Sequence, residues 1–301
     1  MRTLSDRSLL ALTCASLLLC MGSCGEDPSP RRPSNRPSPG GQASPGAPED
    51  QAKQPADSGG EATPRPSSIK HVVEVTPGPE GTPADTPGLI RGVVVFDGDP
   101  PKRSEIKISA AGCNHEGGPV LKENLVVNDG KVQYAYVFVS KGLGDQEFKA
   151  PEESVLLDQI GCMYSPHVVC IQTGQTLQVR NSDATLHNVN WPDGNKMQPA
   201  GSKPLEIEYE RDSVGVMYRC DIHPWMSAFL CVAEHPFHHV TGPDGSFELP
   251  AIPPGKYELS LWTEKYKKNR DRPSFEVPPG GEVVVTFHIS DKAGGRRGRG
   301  R

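Results

Sequence analysis

Tyr218-Arg-Cys-Asp-Ile-His-Pro-Trp-Met226 sets a cysteine, a histidine and a methionine three residues apart. Val214-Gly-Val-Met-Tyr218 on one side alternates at period two, and Phe229-Leu-Cys-Val232 on the other is a short apolar run. The motif therefore reads as a tight loop between two strands. Such a loop can aim a thiolate, an imidazole and a weak thioether at one point. That soft donor set suits copper, whereas calcium and magnesium sites need oxygen ligands. A fourth ligand has to come from elsewhere, and the candidate is His187 in Arg180-Asn-Ser-Asp-Ala-Thr-Leu-His187, at a polar turn after a strand. His187, Cys220, His223 and Met226 together make a two-imidazole, one-thiolate set with an axial methionine, the composition of an electron-transfer copper centre. Zinc held by Cys220, His187 and His223, or Cys220 as half of a disulfide, are the competing readings.

Working outward from this loop, the chain continues as short strands with glycine and proline turns. Leu89–Phe96, Leu125–Val139, Val168–Gln172, Thr176–Arg180, Leu205–Tyr209, Ser246–Leu249, Lys256–Trp262 and Glu282–Ile289 all carry strand patterning. No apolar helical face of any length interrupts them. The expectation is an all-β chain with a Greek-key β-sandwich and a second small β-sandwich. A net charge of -5 excludes a globally basic nucleic-acid binder.

The Cys220 loop resembles that of the cupredoxins, most closely the short-loop amicyanin type. There too cysteine, two residues, histidine, proline, an aromatic and methionine run into a strand. The resemblance covers roughly residues 120–235. It implies a blue copper protein that passes single electrons between exported redox partners, such as a c-type cytochrome or a dehydrogenase, and turns over no substrate of its own. It also implies that Asn188 braces the two ligand loops, and that Pro224 and Trp225 flank an apolar patch over the His223 ring edge where electrons cross. Copper storage, delivery or sensing, and a non-redox structural module, are the alternatives. The wider organisation is similar to exported bacterial proteins of the methylamine-utilisation type.

Val240-Thr-Gly-Pro-Asp-Gly-Ser-Phe-Glu-Leu-Pro250 and the segment after it resemble carboxypeptidase regulatory-like, transthyretin-like sandwiches, whose opening strand resembles Ile90–Phe96. The implied organisation is a sandwich from 88–110 and 237–290, with the copper-binding portion, 111–236, inserted between. Two sequential domains are the other possibility.

The remaining segments speak for export. Leu9–Leu19 is an apolar stretch behind Arg2 and Arg7, and it ends in Met21-Gly-Ser-Cys24. This resembles the lipobox of bacterial lipoproteins. Residues 1–23 would then be a signal peptide and Cys24 a lipidated N-terminus, anchored in the cell envelope and facing the periplasm or the exterior, with the outer membrane favoured. Fourteen of the 31 prolines fall between Pro28 and Pro87, so 24–87 reads as a disordered tether whose one strand-like exception is Ile69–Val75. Residues 291–301 read as a basic disordered tail. Oxidising export favours disulfides. Cys113, Cys162, Cys170 and Cys231 allow three pairings, and the preferred one is Cys113 with Cys162 and Cys170 with Cys231, the latter pair having two buried thiols as its alternative. Cys113, His115, Cys162 and His167 also have the residue types of a second metal site.

Overall fold

The computed structural model describes residues 67–108, 110, 112–113, 118–267 and 269–291. The signal, Cys24, most of the tether and the basic tail beyond Asp291 lie outside the described residues. Nineteen strands and no helix occur among those described. They begin with β1 (Ser67–Thr76), β2 (Leu89–Phe96), β3 (Val126–Asn128), β4 (Lys131–Gln133), β5 (Tyr136–Lys141), β6 (Val155–Ile160) and β7 (Met163–Ser165). Next come β8 (Val168–Gln172), β9 (Leu177–Asn181), β10 (His187–Trp191), β11 (Gly194–Gln198), β12 (Leu205–Ile207), β13 (Ser213–Arg219) and β14 (Ser227–Ala233). The last are β15 (His238–Val240), β16 (Ser246–Glu248), β17 (Gly255–Trp262), β18 (Ser274–Val277) and β19 (Glu282–Asp291).

Two sandwiches result. The first faces the sheet β1-β19-β2-β4-β3, with β16 on β2, against the sheet β15-β5-β17-β18. Alternate residues of these strands, among them Ile90, Val94, Val137, Leu259, Val285 and Phe287, fill one core. The second sandwich pairs β11-β10-β13-β14-β8 with β12-β9-β6-β7 around Leu157, Ile171, Val179, Val189 and Leu230. A third cluster of Tyr136, Val168, Phe229, Cys231 and Trp262 joins β5 and β17 to β8 and β14, so the sandwiches share packed surface.

The all-β, two-sandwich architecture is present, and β6–β14 are inserted between β5 and β15 of the first sandwich. The borders differ from those read in the sequence. β3, β4 and β5 fall within 111–236, yet β4 pairs with β2, and β5 pairs with β15 and β17. Their apolar faces complete the first core. At the other end, Ile69–Val75 belongs to β1, which pairs with β19 along its full length from Ser67↔Asp291 to Thr76↔Glu282. The fold therefore takes in residues that the proline-rich composition assigned to the tether.

His238 in β15 has its Nδ1 buried without a hydrogen-bond partner. Burial, reinforced by the charges of His235 and His239, pushes this imidazole down to about 4. The unfolded chain takes up the proton near pH 6.5 and the folded chain resists it, so the stability this group contributes is complete above about 6.5 and is lost as pH falls toward about 4. His238→Phe is expected to reduce the loss of unfolding free energy between pH 7 and pH 4.5 by about 2 kcal/mol. Urea titrations at the two pH values measure it, and equal losses in the two proteins would refute it.

Candidate metal centre

β10 and β13 are antiparallel neighbours through Asn190↔Arg219. This pairing brings His187, the first residue of β10, level with the loop that leaves β13 at Arg219. The loop closes on itself before β14: Cys220 N–H donates to Met226 O at 3.2 Å, and Met226 N–H to His223 O at 2.9 Å. Cys220, His223 and Met226 are thereby presented from seven consecutive residues.

Asn188 ties the two segments together. Its Oδ1 accepts from Asp221 N–H at 2.6 Å, and its Nδ2 donates to Asp221 Oδ2 at 3.0 Å and to Asn195 Oδ1 at 2.7 Å. Its backbone N–H points at Cys220 Sγ from 3.5 Å. Donation from Asn190, Asn195 and Asn188 holds the Asp221 carboxyl below the usual carboxylate range. Tyr164 of β7 adds a buried hydroxyl that donates to Asn188 O and Arg219 O.

The donor atoms converge. Cys220 Sγ lies 3.9 Å from His187 Nδ1 and 3.8 Å from His223 Nδ1, and the two imidazole nitrogens are 2.9 Å apart. A point equidistant from all three lies about 2.1 Å from each, the length of a metal–imidazole bond. His187 and Met226 are 0% exposed, Cys220 2% and His223 3%. Met226 belongs to the buried core cluster that also includes Cys220.

The outward nitrogens fix the chemistry of the inward ones. His187 Nε2–H donates to Asp183 Oδ2 at 2.8 Å, and His223 Nε2 faces Cys113 Sγ at 3.5 Å. Each ring thus turns Nδ1 inward. Burial raises the Cys220 thiol, but hydrogen bonds from His187 and from the Asn188, His223 and Ile222 backbones outweigh it and hold the thiol below its ordinary value. Burial likewise disfavours a charged His187, yet its bonds to Cys220 and Asp183 lift it above the ordinary histidine value. Burial, then the neighbouring His187, lowers His223. A soft cation bound among these groups would displace the protons they hold. The residues present fit copper by donor type and by spacing.

Asp183 did not stand out in the sequence, although it sits four residues before His187. Its carboxylate also accepts Gly161 N–H at 2.6 Å and Cys162 N–H at 2.8 Å, fastening the β6–β7 turn to the candidate ligand His187. Asp183→Ala is expected to weaken metal binding about 10–100-fold, as loss of a ligand's outer partner commonly does. Competition against a chelator of known affinity checks it, and an unchanged constant would contradict it.

Cys113 and Cys162 are joined by a disulfide, and Cys170, Cys220 and Cys231 are free. The preferred Cys170–Cys231 bridge is therefore corrected to two thiols. These residues are direct partners on the parallel strands β8 and β14. Side chains paired this way stand side by side about 4.8 Å apart, wider than the usual Cβ separation of a disulfide. Burial pushes the Cys170 thiol up to about 12 and raises Cys231 as well, so both behave as apolar packing. The outer edge of His223 is covered. The disulfide lies over it, Pro224 is exposed, and half-buried Trp225 donates its indole N–H to Cys162 O at 3.0 Å. Pro224 and Trp225 line a cavity of about 520 Å³ whose other walls mix apolar Ile106 and Met163 with charged Glu105, Lys122, Glu123 and Glu264. Of the second donor set, His115 lies outside the described residues and His167 is engaged by Glu264 at 2.6 Å and Ser227 O at 3.1 Å, away from the disulfide.

No protein-family model and no curated protein matches the chain. Among solved structures it is similar to a purple cupredoxin from Nitrosopumilus maritimus, with 23% identity over 27% of this chain and 100% of that one, at a TM-score of 0.24. A copper-containing nitrite reductase from Thermus scotoductus SA-01 is 20% identical over 31% of this chain and 25% of its own, at 0.25. A reduced single-residue variant of amicyanin is 16% identical over 32% of this chain and 97% of its own, at 0.25. Each is a likeness of fold over less than a third of this chain.

Proposed function

We propose that the chain is an extracytoplasmic carrier of single electrons built on one copper ion held by His187, Cys220, His223 and Met226. The observation that carries this reading is the convergence of Cys220 Sγ, His187 Nδ1 and His223 Nδ1 within 3.9 Å of one another in a buried pocket. Bound there, copper supplies a site that alternates between its +1 and +2 states. The chain supplies the rest. Cys220 provides the anionic sulfur, and the two histidines hold neutral lone pairs inward. Met226 would add a weak thioether donor. Asn188, Asp221 and Asp183 keep the ligand segments from moving between states, which limits reorganisation on electron transfer. Burial keeps water from completing another coordination shell.

In this reading Cys24 carries lipid and the tether holds the folded part at the cell envelope, where its partners are exported redox proteins such as a c-type cytochrome or a dehydrogenase. No helix among the described residues is long and apolar enough to cross a membrane. A spectroelectrochemical titration of the copper-loaded chain tests the proposal. The expected result is one reversible transition with a one-electron slope and full recovery of the spectrum. Loss of the metal on each reduction would contradict it.

A further inference from the structure

Cys113 Sγ meets His223 Nε2 at 3.5 Å, on the face of the ring opposite the metal centre. Cys162 lies next to Gly161 in the two-residue turn between β6 and β7, and both take left-handed backbone angles, φ 55° and φ 62°. Such turns favour glycine or asparagine at these positions, and another residue there costs roughly 1 kcal/mol. The turn nevertheless places a cysteine there, under Trp225 and beside Asp183. The donor atoms of Cys113, Cys162 and His223 all lie within 4.8 Å of one another, and all three residues are buried. A cavity of about 560 Å³ is lined by Cys113 together with Ile106, Lys107 and Val120, although Cys113 itself is buried.

We propose that Cys113, Cys162 and His223 form a second, redox-gated site for copper(I), a loading port that shares the His223 ring with the electron-transfer centre. The proposal rests on the copper reading of that centre. While the sulfurs are bonded to each other the port is closed and the ring edge is sealed. A dithiol reductant opens it by exchange. Its thiolate attacks one cysteine sulfur, and the Cys113–Cys162 bond breaks with its electron pair leaving on the other sulfur. The second thiol of the reductant then displaces the first cysteine and closes the reductant's own disulfide. The net change delivers two electrons and two protons to the cysteines. Two thiolates and His223 Nε2 are a soft trigonal set that selects copper(I), with release of the thiol protons and with the ring's own proton moved to Nδ1, so the port fills before the centre takes up that nitrogen. Re-formation of the bond by a disulfide oxidant withdraws both sulfurs from the ion and leaves it beside a ring whose other nitrogen belongs to the centre.

The test uses the full chain carrying Cys220→Ala, which removes the centre's thiolate and leaves the port intact. Copper(I) held by bathocuproine disulfonate is titrated anaerobically into the oxidised protein and into the protein reduced with a phosphine and desalted. The reduced protein is expected to withdraw one more equivalent than the oxidised. A chain that also carries Cys113→Ser and Cys162→Ser, and keeps Cys170 and Cys231, is expected to withdraw no extra equivalent. Equal uptake in the two redox states, or extra uptake by the triple variant, would overturn the port. So would unfolding on reduction, seen by far-ultraviolet circular dichroism, because a port has to open on a folded site. Failure of the electron-transfer reading shows separately, as wild-type protein that binds copper(II) without thiolate-to-metal absorption.

Discussion

Cys220→Ala is expected to abolish the visible thiolate-to-copper(II) absorption altogether and to weaken copper binding by several orders of magnitude. Cys220 is the one thiol among the converging donors, and hydrogen bonds from His187 and three backbone N–H groups outweigh burial to favour its anionic form. Alanine removes that sulfur and leaves two imidazole nitrogens 2.9 Å apart, with no thiolate to offset the charge of an ion. Met226→Ala is expected to behave differently. A long axial bond contributes little affinity, so copper stays and the reduction potential moves. Metal content and visible spectra of the two purified variants separate these outcomes. A Cys220→Ala protein that keeps its colour would show that the sulfur belongs to another residue.

Removing the disulfide should have the largest effect on stability. Cys113 and Cys162 are 49 residues apart, and closing a loop of that length in the unfolded chain is worth up to about 4 kcal/mol. The Cys113→Ala, Cys162→Ala protein is expected to unfold about 6–12 °C below the wild type while keeping a cooperative transition, taking a loss of about 3 kcal/mol for a folded part of this size. Calorimetry of the two metal-free proteins measures it. Coincident transitions would mean that the bridge constrains nothing in the unfolded chain.

How much of this was legible in the sequence depends on how local each signal is. Period-two stretches such as Leu205–Tyr209 reveal strands because the alternation is carried by neighbouring residues. The loop from Cys220 to Met226 reveals a donor set because three ligand types are packed into seven residues. The borders of the insertion were hidden because the partners that place β5, β15 and β17, lie about a hundred residues further on. The strand patterning of Ile69–Val75 was legible amid the prolines, but its partner was not, because β19 lies more than two hundred residues away. Asp183 was present in the quoted motif, but its importance comes from two N–H groups of a turn some twenty residues earlier. The seal over His223 was likewise invisible. Nothing in the spacing of Cys113 and Cys162 says that their sulfurs end on a ligand imidazole. The apolar patch expected around Pro224 and Trp225 came from resemblance alone, and the cavity they line mixes charged residues with Ile106 and Met163.

The measurement that decides whether the converging donors are an electron-transfer copper centre is a titration of the metal-free full chain with copper(II), followed by visible and electron paramagnetic resonance spectra on the same samples. The expected result is saturation at one equivalent with an intense thiolate-to-copper band and a narrow copper hyperfine pattern, both lost on addition of one electron and restored on its removal. A colourless complex with the wide hyperfine pattern of tetragonal copper would contradict it. So would a chain whose site takes up zinc and excludes copper.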